Sequence, residues 1–93
     1  MVVGTLEMSL LIREALTLKD KRRVVKSLKD RLKHRFAVAV AEVGDLERWQ
    51  YSQLGVAYVS NDARHATEVL SKVVDFVRNS AAAELVDYTI ETF

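Results

Sequence analysis

The sequence predicts an α+β domain, a four-stranded antiparallel sheet carrying two helices on one face. Two observations lead there. Apolar residues alternate with period two near both ends of the chain, and two stretches with helical apolar spacing and capping signals lie between. Ninety-three residues suffice for one two-layer core and not for two, so residues 1–93 are read as one domain.

From Val3 to Arg13, Leu6, Met8, Leu10 and Ile12 fall on one side and Thr5, Glu7, Ser9 and Arg13 on the other, a strand with one wet face. Thr17-Leu18-Lys19-Asp20 has the form of a capping box, so a helix starts there. Its Val24, Val25, Leu28 and Leu32 share a stripe, with Lys21 and Arg35 at the ends, where their stems can cover it. "FAVAVAEV", Phe36 to Val43, reads as a second strand, with Phe36, Val38 and Val40 on one face and alanines on the other. Gly44-Asp45 opens a hairpin connection into a third strand, "WQYSQLGVAYVS". Asn61 or Asp62 caps a second helix, in which Ala66, Val69, Leu70, Val73, Phe76 and Val77 recur at helical spacing up to Asn79-Ser80. Val86, Tyr88 and Ile90 then alternate with Asp87, Thr89 and Glu91 as a fourth strand. The order βαββαβ with two right-handed crossovers is the ferredoxin-like, split βαβ arrangement. One sheet face stays open, and an apolar strand face turned from the helices is a candidate contact for a homo-oligomer.

Composition narrows the function classes. With no cysteine, disulfides, thiolate metal sites and Cys nucleophiles are excluded, which suits a reducing cytoplasm. The apolar runs are short and "MVVGTLEMSL" lacks a basic n-region, so neither a membrane span nor a secretory signal is expected. His34 and His65 stand in no metal-ligand spacing, and "KS" at Lys26-Ser27 lacks the glycine framework of a phosphate loop. Glu42 ends an apolar strand without a predictable companion. No catalytic residues, cofactor or metal are expected, and the domain is read as non-enzymatic.

The strongest lead is charge. A formal net charge of +1 conceals nine of the fourteen Lys and Arg residues between Lys19 and Arg35, a segment of net +7 against −6 for the rest. Lys19, Arg22, Lys26, Lys29 and Lys33 follow a 3,4,3,4 spacing, read as a ridge nearly opposite the apolar stripe and about 21 Å long at 1.5 Å per residue. Lys21, Arg23 and Arg31 flank it. Like charges stand at i,i+4 in Lys19/Arg23, Arg22/Lys26, Lys29/Lys33 and Arg31/Arg35, each costing roughly 0.2–0.5 kcal/mol. Phosphates along a nucleic-acid backbone would relieve that stress, with counterion release as the driving term. The expected partner is RNA or a ribosomal assembly. A solvated charged face on a self-associating structural or regulatory domain is the alternative.

"LKDKRRVVKSLKDRLKHRF", followed by "AVAEV", Trp49 and "LGVAYVS", resembles the YlxP-like family of small bacterial proteins of unknown function. The resemblance covers nearly the whole chain and departs from the family pattern at Ala37 and Ala39, where Asn and Ser are usual. It implies the ferredoxin-like fold and a loose association with transcription and translation factors, and it supplies no catalytic residue or ligand.

Two further features have competing readings. "LGVAYVSN" partly echoes the sheet motif of RNA-recognition modules, but Val56 stands where one stacking aromatic belongs, and a plain core strand is expected. Trp49, Tyr51 and Phe36 near the hairpin either anchor a partner or close the edge of the core.

Overall fold

The computed structural model describes all 93 residues. In chain order the elements are β1 (Val2–Leu11), α1 (Leu18–Arg35), β2 (Ala39–Gly44), β3 (Tyr51–Ser60), α2 (Ala63–Arg78) and β4 (Glu84–Thr92). The four strands pair antiparallel in the order β2-β3-β1-β4, the ferredoxin-like α+β arrangement.

Alternation along β1 acts as expected. Leu6, Met8, Leu10 and Ile12 are buried beneath the helices and meet Leu54 and Val56 of β3. Val25, Leu28 and Leu32 of α1 and Leu70, Val73, Val74 and Val77 of α2 close the core from above. Each such side chain contributes about 1.5–3 kcal/mol by leaving water. Gly4 lets α2 approach, because a Cβ there would stand 2.9 Å from Leu70 Cδ1 and 3.2 Å from the Ala66 methyl.

Thr17 caps α1 by accepting from the Asp20 amide at 3.1 Å, while the Asp20 carboxylate accepts from the Leu16 amide at 3.0 Å, one residue outside the usual capping box. Asp62, not Asn61, caps α2 by accepting from the Arg64 amide.

Three strand expectations are corrected. β2 begins at Ala39 rather than Phe36, because Phe36 instead ends α1, its amide donating to Leu32 O and its ring meeting Phe76 edge-on at 5.9 Å. Val86 leaves the face of Ile90 because the β1–β4 register shifts between Ser9 and Leu10, and it is 60% exposed. Trp49 lies before β3, in the hairpin turn, where Asp45 takes φ 59°, a left-handed conformation that Asp tolerates.

The helices divide the sheet. α2 packs on β1, β3 and β4, and α1 comes nearest to β2. Val40 and Glu42 of β2 turn toward the helices, whereas Ala39, Ala41 and Val43 are exposed on the far side. That side is the open sheet face.

Candidate functional site

The helical repeat of α1 and its burial pattern place the cations. Val25, Leu28 and Leu32 are buried together with Lys21. At 100° per residue, Lys19, Arg22, Lys26, Lys29 and Lys33 fall within an arc of about 80°, centred roughly 120° from the buried stripe. The ridge therefore runs along a flank of α1 instead of opposite its core side. Lys29, nearest the stripe, is half-buried, while the other four are exposed. Arg31 and Arg35 project from the other flank, toward α2, with guanidiniums 5.9 and 5.4 Å from the centre of the Phe76 ring. The ridge thus faces away from α2, on the side of β2.

Of the five, only Lys26 forms an ion pair, to Asp30 at 2.9 Å. Lys19, Arg22, Lys29 and Lys33 have no carboxylate partner, nor do Arg23 and Arg31. The Lys26 hydrogen bond holds the Asp30 carboxyl below its ordinary 3.8, and the charges of Lys26, Lys33 and Lys29 add to the effect. One carboxylate thus sits among three cations.

Lys21 departs from the expectation that it flanks the ridge. Its side chain is 0% exposed, and its ammonium donates to Glu42 Oε2 at 2.9 Å and to the carbonyls of Asp45 (2.8 Å), Leu46 (3.2 Å) and Tyr51 (3.2 Å). Ser52 Oγ donates to the same Glu42 oxygen at 2.8 Å. A buried ammonium needs such partners, because an unpaired charge out of water costs several kcal/mol. No donor is left to meet a phosphate. The signal in the sequence is the position of Lys21 at the end of the apolar stripe. The companion of Glu42 was not legible, because it comes from twenty-one residues away.

This knot fastens the β2–β3 hairpin to the first turn of α1, where the ridge begins. Gln50 adds to it by donating from Nε2 to Arg13 O at 3.0 Å and Ala15 O at 3.3 Å. The hairpin then presents a cleft of about 330 Å³ lined by Glu47, Arg48, Trp49, Gln50 and Tyr51. The Arg48 guanidinium carbon lies over the Tyr51 ring, 4.0 Å from its centre. Trp49 is 55% exposed and does not close the core.

Tyr58 belongs to the helix side of the sheet, where its hydroxyl and His65 Nε2 are 3.2 Å apart. The open face consequently presents no aromatic from the "LGVAYVSN" motif. That face instead holds a shallow depression of about 470 Å³ floored by Ala39, Ala41, Gly55 and Ala57, with Glu7 and Glu91 on the β1–β4 side.

The family described as "Protein of unknown function (DUF503)" matches residues 3–90. The chain belongs to the DUF503 family. This DUF503 chain is 32% identical over 76 residues to "Uncharacterized protein YlxP" of Bacillus subtilis (strain 168), a match covering 82% of this chain and 83% of the relative. Among solved structures it is similar to "De novo designed protein Foldit4", with a TM-score of 0.55, 11% identity, and coverage of 100% of this chain and 97% of that one. The latter likeness is one of fold. No helix of the DUF503 domain is long and apolar enough to cross a membrane.

Proposed function

We propose that this DUF503 domain is a non-catalytic RNA- or ribosome-associated binding protein that holds phosphates along the α1 flank formed by Lys19, Arg22, Lys26, Lys29 and Lys33. The observation that supports this reading is the set of cations on one flank, four of them without an intramolecular carboxylate. Arg23 extends the field, and Arg31 reaches a ligand only from the Phe76 side. Contacts of this kind read backbone rather than bases, so sequence preference is slight. The lack of cysteine suits the reducing cytoplasm in which RNA and ribosomes are found.

Titration of structured RNA at several salt concentrations tests the reading. Wild type is expected to bind at low salt with an affinity that falls steeply, and each ridge cation removed lowers the log–log slope by about 1. A Lys26→Glu, Lys29→Glu variant should lose most of the binding. If wild type ignores RNA at low salt, the ridge reading is wrong.

A second reading is supported by the open sheet face, where Ala39, Ala41, Val43, Gly55 and Ala57 make a small-residue surface. In it the DUF503 domain self-associates through that face, and the ridge keeps the assembly in solution. Light scattering separates the two, since an apolar assembly persists in high salt and a Val43→Asp substitution disperses it.

A further inference from the structure

The hairpin cleft is not explained by phosphate binding. It holds a half-exposed indole and a guanidinium seated on a phenol ring, and the Arg48 side chain is 59% exposed. Neither serves the core. Glu47 lines the same cleft without an ion-pair partner, so a phosphate is disfavoured inside it. A neutral, planar, π-faced group suits the cleft better. Aromatic rings and Arg planes are the surfaces on which unpaired nucleobases stack.

Position connects the cleft to the ridge. Lys21 ties the carbonyls of Asp45 and Leu46, just before the cleft residues, and of Tyr51, the last of them, to the first turn of α1. Lys19 stands on that turn and Arg22 just beyond it, and the ridge faces the β2 side of the molecule, from which the hairpin springs. The buried ammonium thus pins the hairpin backbone beside the start of the cation row, while strand alternation turns the Tyr51 ring, with Arg48 upon it, to the sheet face of Gly55 and Ala57, so a strand passing from cleft to ridge rounds the β2 edge.

Resting on the ridge reading, we infer that the RNA taken by this domain has an unpaired segment at its binding site, and that a splayed base enters the Arg48–Trp49–Tyr51 cleft while the strand continues round the β2 edge to the α1 ridge. A fully paired duplex, whose bases are stacked on one another, offers the cleft nothing.

Trp49 is the sole tryptophan and so reports on its own site. Intact protein would be titrated at low salt with a single-stranded RNA dodecamer and with a blunt duplex of equal length. Indole fluorescence and the anisotropy of end-labelled RNA would be read together. Quenching by the single strand and not by the duplex is expected. Trp49→Ala should weaken single-strand binding about 5- to 150-fold, the factor corresponding to the roughly 1–3 kcal/mol of one stacked base. The same change should leave duplex binding as it was. Trp49→Phe, which keeps a flat ring, should retain part of the single-strand affinity and guards against a folding defect in the alanine variant. If both RNAs bind and Trp49→Ala affects neither, the stacking inference is overturned while the ridge stands. Equal quenching by poly-glutamate would also overturn it, since that is attraction by charge alone. Absence of any RNA binding by wild type removes both readings.

Discussion

Lys21 couples the β2–β3 hairpin to the first turn of α1. Removing its charge leaves the Glu42 carboxylate, 13% exposed, without its cation and three hairpin carbonyls without a donor. Lys21→Met is therefore expected to cost about 3–5 kcal/mol, read as a lower urea midpoint at unchanged m value. Lys21→Met with Glu42→Gln should recover part of the loss, because no unpaired charge is then buried. A double variant as unstable as the sum of its parts would contradict that account. Asp30 shows the ridge field at a single atom group. Its folded-state pKa lies below the ordinary 3.8, so its stabilising contribution is present above the unfolded-state value and disappears as pH falls through the lower folded-state one. Lys26→Ala should move the Asp30 carboxyl upward in an NMR titration, because the Lys26 hydrogen bond is the leading cause. An unmoved value would assign the shift to Lys29 and Lys33 instead.

Helix α1 is held by tertiary burial against its own electrostatics. Four like-charged i,i+4 pairs oppose it, and one formed ion pair, Lys26–Asp30, offsets part of this. Added monovalent salt should accordingly raise the thermal midpoint by a few degrees, and the rise should shrink in the Lys26→Glu, Lys29→Glu variant. Calorimetry in a salt series checks it. Strands β1 and β3 differ in how much a glycine matters. At Gly4 an added methyl meets Leu70 and Ala66 in the closed core, so Gly4→Ala should cost about 1–3 kcal/mol. At Gly55 it meets only Val43, a side chain 52% exposed that can shift toward solvent, so Gly55→Ala should cost less than Gly4→Ala. Chemical denaturation of the two variants makes the comparison.

On the scale of the whole molecule, charge is sorted by layer. The α1 flanks carry the basic excess, while the open sheet face holds Glu7 and Glu91 beside its small residues. A net charge near zero is thus a poor guide to what the surface does. At a pH just above the sequence isoelectric point of about 8.1, the protein should still be retained on a heparin column, and charge reversal at Lys26 and Lys29 should abolish retention. Elution of both proteins in the void volume would show that the acidic remainder neutralises the ridge.

Element order and fold were legible because period-two and helical spacings are local properties of the chain. Thr17 and the alternation of β1 act where the sequence places them, and Asp62 is one of the two caps the sequence offers for α2. The grouping of Lys19, Arg22, Lys26, Lys29 and Lys33 was legible for the same reason, since helical repeat alone sets it. Tertiary structure decided the rest: the burial of Lys21, the flank on which the ridge runs, the open side of β2 and the joining of the Trp49 cleft to α1. Each of these depends on partners distant along the chain, and no local spacing encodes which of them a side chain will meet.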